Sequence, residues 1–98
     1  IPLISSMGTG NKLPPELFRI SDLKDTSVCP LCRVMRKELK TRGIQSLKVC
    51  WSPEKPLTPA PAEEDTGSRR STPGSISFVP PAAGLMIAGE IVRNICGL

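Results

Sequence analysis

Ile1, Leu3, Ile4 and Met7 form a short apolar run that stops at Gly8-Thr9-Gly10-Asn11. A run of this length closed by a breaker cluster predicts a buried strand over 1–7. Pro14-Pro15 then forces an extended or turning segment. Over 17–23 the chain alternates, with Phe18 and Ile20 pointing one way and Arg19 and Ser21 the other, which predicts a half-buried strand. Asp25-Thr26-Ser27 reads as a helix start, with Thr26 or Ser27 capping the first free amides. Val28, Leu31, Cys32, Met35 and Leu39 recur at helical spacing and predict one apolar stripe on a helix over 28–42. Pro30 is tolerated in the first turn, and Gly43 closes the helix in a left-handed conformation. Leu47, Val49 and Trp51 share one face of a further strand, and Lys48 and Cys50 share the other.

The pattern changes over 53–74. Pro53, Pro56, Pro59, Pro61 and Pro73 punctuate acidic and hydroxyl residues, with little to bury, so a disordered or solvated loop is expected. Ile76-Ser77-Phe78-Val79 predicts a strand or extended segment. Pro80-Pro81 leads into a helix over 82–96, apolar nearly all round in its first half, with a polar side made by Glu90, Arg93 and Asn94. Such a helix is expected to be buried on more than one side. The domain reading is therefore 1–52 as a strand–strand–helix–strand unit, 53–74 as a Pro-rich loop, and 75–98 as a closing segment and buried helix of the same domain. The fold class is α/β with a mixed sheet. Two helices cannot cover both faces of four strands, so further chain or a second copy is expected to cover the rest.

Composition narrows the chemistry. Ninety-eight residues make one small domain or a piece of a larger protein, and an apolar start at Ile1 reads as a fragment. Three aromatic residues imply a thin aliphatic core. The chain has no His, which excludes Ser–His and Cys–His dyads and His-ligated zinc within these residues. The net charge of +4 permits an anionic partner without requiring one. The longest weakly polar run, from Phe78 to Gly89, is too short for a membrane span, so a cytoplasmic protein is expected. Four cysteines in that compartment are reduced thiols or metal ligands rather than a disulfide framework.

Three features can carry chemistry. Cys29-Pro30-Leu31-Cys32 lies at a helix start, where the helix dipole lowers a thiol pKa. It reads as a redox pair, as half of a zinc site, or as two packing residues; zinc would also need Cys50 and Cys96, so no metal is expected. Cys50, next to Lys48, reads either as a catalytic thiol or as a buried strand cysteine. Arg33, Arg36, Lys37, Lys40 and Arg42 form the outer side of helix 28–42. They can follow a phosphate backbone or make an ordinary solvated face. The Gly8-Thr9-Gly10 turn lacks the further residues of a dinucleotide or P-loop motif and reads as a turn whose glycines allow close backbone approach.

Taken together, Ile1 to Leu13, the segment Thr26-Ser27-Val28-Cys29-Pro30-Leu31 with Arg33 to Leu39, and Gly74-Ser75-Ile76-Ser77-Phe78-Val79-Pro80-Pro81-Ala82-Ala83-Gly84 with Ala88-Gly89-Glu90 resemble the tRNA threonylcarbamoyladenosine dehydratases. These belong to the ThiF-type adenylating enzymes. The resemblance implies the carboxy-terminal part of a Rossmann-like fold in an ATP- and Mg-dependent, homodimeric enzyme that adenylates and cyclises a modified adenosine next to the tRNA anticodon. The nucleotide-binding half would precede Ile1, so this piece is expected to be inactive and to bind no cofactor itself. A related implication is a ThiF/MoeB-type activator of a ubiquitin-like sulfur carrier; those proteins hold zinc with two CxxC pairs, and this chain has one. A non-catalytic zinc or interaction module is the third reading.

Overall fold

The computed structural model describes residues 2–55 and 74–98. The Pro-rich stretch lies outside the described residues over 56–73. In chain order the elements are β1 (Ile4–Ser6), a single 3-10 turn at Pro15–Leu17, β2 (Arg19–Asp22), a second at Leu23–Asp25, α1 (Pro30–Thr41), β3 (Lys48–Trp51) and α2 (Val79–Cys96). The sheet is mixed and runs β1-β3-β2. β1 pairs parallel to β3, with Ser5 opposite Val49, and β2 pairs antiparallel, with Ile20 opposite Cys50.

The central strand decides how the layers form. Alternation sends Val49 and Trp51 to one face of β3, where they pack with Met7, Leu23, Cys29 and Cys32 and with Met35, Leu39 and Leu47 at the margin. Cys50 goes to the opposite face, against Phe18, Val79 and Ala83, with Ile20, Met86 and Ile87 beside them. α1 therefore covers one face and α2 the other. Three strands are observed among the described residues where four were expected. Ile76–Val79 is not a strand: Ser77-Phe78 turns and α2 begins at Val79, with Pro80 and Pro81 in its first turn, where the missing amides cost no helical bond. Among the described residues each face of the sheet then carries one helix.

α1 also starts later than its sequence predicts. Cys29 occupies the cap position, no side chain caps the first amides, and Pro30 opens the helix. Thr26 is buried instead, its hydroxyl donating to the Leu23 carbonyl at 2.6 Å. Val28 leaves the apolar stripe and is 54% exposed, so the stripe that packs is Cys32, Met35 and Leu39. The helix ends as expected. Gly43 has φ 74°, its amide donates to Lys40, and the Ile44 amide donates to Leu39.

Val28 itself is strained. The Cys29 amide donates to the Ser27 carbonyl at 2.7 Å across Val28, which has φ 68°. A three-residue turn with positive φ at its centre is costly for a β-branched side chain. Val28→Asn keeps the turn with a residue that tolerates this conformation, and little apolar burial is lost. We expect it to raise unfolding free energy by about 1 kcal/mol, read from urea denaturation. No gain would mean that the turn relaxes at Val28 without strain.

The expectation that α2 is buried on more than one side is not met among the described residues. Val79 and Ala83 are its only buried side chains, while Leu85, Ile91, Val92 and Ile95 are exposed. A single sheet face reaches one side of the helix, and no other described element lies over its outer side.

Candidate functional site

The start of α1 gathers the most unusual chemistry. Cys29 and Cys32 are both buried and belong to the same core cluster. Burial works against a Cys29 thiolate, yet the Cys32 amide, the Cys32 thiol, the Gly8 amide and the Lys12 ammonium outweigh it, and the Cys29 pKa is lowered. Burial, together with the neighbouring Cys29, pushes the Cys32 thiol up to about 11. Of the two thiols, Cys29 is thus the easier to ionise and Cys32 the harder. Lys12 is only 4% exposed. A β-carbon placed on Gly8 would lie 3.8 Å from its Nζ and 3.9 Å from Cys29 Sγ. Those are ordinary contact distances, so this glycine is not required for a close backbone approach. In the turn, the positive φ is taken by Asn11, at 58°. Asn11 and Gly74 exchange two hydrogen bonds, of 2.7 and 3.0 Å, and Glu54 accepts from the Leu13 amide. Sequence reasoning singled out the CxxC and missed Lys12, whose burial depends on how the glycine turn folds over α1.

The cationic side of α1 is divided. Arg33, Lys37 and Lys40 are exposed and follow one another at i, i+4 and i+7, on one face of the helix. Arg42 is exposed at the helix end. Arg36 differs. It is half-buried, and its guanidinium donates to the Thr26 carbonyl at 2.9 Å and to the Thr26 hydroxyl, strapping the helix to the preceding loop. An open cleft of about 440 Å³ adjoins this side, with Leu23, Leu39, Ile44 and Leu47 as its apolar floor and Lys24 and Lys40 at its border. Lys24 was not among the sequence candidates, because nothing in local sequence places the β2–α1 connection beside the end of α1.

Cys50 is a core residue. Its Sγ lies 3.9 Å from the Ala83 carbonyl, and burial raises its pKa. The expected help from Lys48 is absent, because Lys48 Nζ pairs with Glu90 at 2.9 Å. Glu90 also accepts from Arg93, and the two cations hold its carboxyl below the usual carboxylate range, Lys48 first. The sequence pattern shows that Cys50 lies on the second face of β3; it does not show that α2 covers that face. Among the described residues no group of three or more Cys, Asp or Glu side chains is placed to hold a metal ion. No helix among the described residues is long and apolar enough to cross a membrane.

No protein-family model matches the chain. The sequence is 35% identical over 104 residues to the tRNA threonylcarbamoyladenosine dehydratase of Bacillus subtilis, a match that takes in 97% of this chain and 41% of that protein. This chain resembles the tRNA threonylcarbamoyladenosine dehydratases. The tRNA threonylcarbamoyladenosine dehydratase 2 of Saccharomyces cerevisiae is 45% identical over 71 residues, covering 65% of this chain and 16% of the yeast protein. The fold agrees with that of the E. coli enzyme. In complex with AMP, that enzyme superposes with a TM-score of 0.78 at 21% identity, over 99% of this chain and 39% of the other. A structure of it with ATP gives 0.59 at 21% identity, over 95% of this chain and 40% of the other. The α/β arrangement with a mixed sheet is thus shared with the fold of the E. coli dehydratase, and the chain spans less than half the length of the proteins it resembles.

Proposed function

We propose that this chain is the carboxy-terminal part of an ATP-dependent tRNA threonylcarbamoyladenosine dehydratase, a cytoplasmic homodimer. The observation that carries this reading is the 35% identity to the B. subtilis dehydratase over almost the whole chain. In it, Arg33, Lys37, Lys40 and Arg42 form a surface that tracks tRNA phosphates, with Lys24 extending it past the cleft at the end of α1. Arg36 supports that surface from beneath. Phosphate contacts of this kind position an RNA without reading its sequence.

The nucleotide belongs elsewhere in the parent protein. The E. coli neighbour is described with AMP and with ATP, and the parent enzyme is expected to use ATP with Mg. The residues described here do not fit that group. The glycine turn at 8–11 holds its own lysine under cover, and no carboxylate cluster among the described residues stands ready for Mg. The chain alone is therefore expected to be inactive, with units 1–52 and 75–98 acting as one support for the tRNA surface. The exposed apolar side of α2 is the face a second copy would bury.

The test uses the full-length protein with ATP, Mg and tRNA carrying threonylcarbamoyladenosine. The expected result is AMP release together with a modified nucleoside that has lost one water, seen by mass spectrometry of the digested tRNA. AMP release driven by a ubiquitin-like carrier protein and not by tRNA would move the protein to the sulfur-carrier activators. No AMP with either substrate would leave the interaction module.

A further inference from the structure

We propose that Cys29 and Cys32 form a reversible dithiol–disulfide site oxidised by a small hydroperoxide, with Cys29 as the attacking sulfur, Cys32 as the resolving one and Lys12 as the group that positions and charges the attacking thiolate.

Two independent observations meet here. The first is the pair itself, Cys29 at the cap and Cys32 in the first turn of α1, both buried in one core cluster. The second is Lys12. A buried ammonium is costly unless a negative group answers it. Among the described residues Lys12 makes no ion pair with a carboxylate, and its one hydrogen bond, to the Gly10 carbonyl, is long at 3.5 Å. The Cys29 sulfur is the group beside it that can carry a negative charge. A thiolate there satisfies the ammonium and accepts from the amides of Cys32 and Gly8. Cys50 and Cys96 lack this environment: Cys50 is buried under α2, and Cys96 lies exposed at the end of that helix.

Burial selects the oxidant. Gly8 lies beside both Lys12 and Cys29, and the Cys29 side chain is buried beneath this turn. Such cover excludes a bulky disulfide as the oxidant and leaves a small hydroperoxide. In the first step the Cys29 thiolate forms a bond to one peroxide oxygen, and the O–O bond breaks. With hydrogen peroxide this gives a sulfenic acid and hydroxide, which takes a proton to become water. In the second step the Cys32 sulfur bonds to the Cys29 sulfur, the S–O bond breaks, and the departing hydroxide leaves as water with the Cys32 proton. Two electrons pass from the sulfur pair to the peroxide, and two waters form. A thiol reductant reverses the change.

The experiment treats the full-length protein with hydrogen peroxide, alkylates it in denaturant, and examines tryptic peptides. Cleavage after Lys24 and Arg33 leaves both cysteines in one peptide, 25–33. Its expected form is unalkylated and lighter by two hydrogen atoms, and dithiothreitol restores alkylation. Lys12→Met is expected to slow this oxidation about tenfold by reducing the thiolate fraction, Lys12→Arg to restore the rate, and Cys96 oxidation to stay unchanged. Cys32→Ser stops the reaction at the sulfenic acid, which a 1,3-dione traps on Cys29, and this arm stands even if Lys12→Met fails to fold. The proposal is overturned if both cysteines remain alkylated at peroxide doses that oxidise Cys96. A folded Lys12→Met protein that oxidises at the original rate, or a Cys32→Ser protein with no adduct on Cys29, also overturns it.

Discussion

Trp51→Ala lowers the unfolding free energy by about 3–5 kcal/mol. Trp51 ends the central strand and is buried against Met7, Leu23, Cys29, Cys32 and Val49. It is one of three aromatic residues in the chain, so no neighbour of similar size can move in to fill the space. Its indole N–H also donates to the Ser21 hydroxyl at 2.8 Å, which ties β3 to β2. Ser21→Ala separates the two contributions. It removes the acceptor and leaves the ring, and should cost about 0.5–1.5 kcal/mol, the net worth of a part-buried hydrogen bond. The measurement is urea denaturation of the full-length protein followed by far-UV circular dichroism. A loss below about 1 kcal/mol for Trp51→Ala would show that the α1 layer is not the main core.

Under the proposed function, reversing Arg33, Lys37 and Lys40 together to Glu is expected to weaken tRNA binding by about a hundredfold or more at low salt. Each phosphate contact releases counterions and adds about −0.9 to the slope of log affinity against log salt on a duplex. The triple variant should therefore bind more weakly and with a flatter slope. Arg36 is left out because its guanidinium holds Thr26 and the start of α1. The three chosen side chains are exposed and point away from the stripe of Cys32, Met35 and Leu39, so the fold should survive. Filter binding of the full-length protein over a range of salt, with circular dichroism as the folding check, reads the result. A folded triple variant with unchanged affinity and slope would make this side of α1 an ordinary solvated surface.

The local pattern of the chain determined the faces of β3, the stripe of α1 and its closure at Gly43, because alternation, helical spacing and the freedom of glycine act within a few residues. The family resemblance was also legible in the sequence, and similarity to the B. subtilis and yeast dehydratases supports it. What covers each face was not legible. Cys50 read either as a catalytic thiol or as a buried strand cysteine, and what decides for the core is α2, which lies over it from far along the chain. Ile76 to Val79 read as a strand or extended segment, but Val79 finds its apolar contact by starting α2 on the sheet. Arg36 looked equivalent to its neighbours until the loop before α1 brought Thr26 into its reach. Lys12, unremarkable in sequence, is buried because the glycine turn folds onto the start of α1. Each of these depends on contacts between distant residues, and burial and charge pairing are set by such contacts rather than by neighbours in sequence.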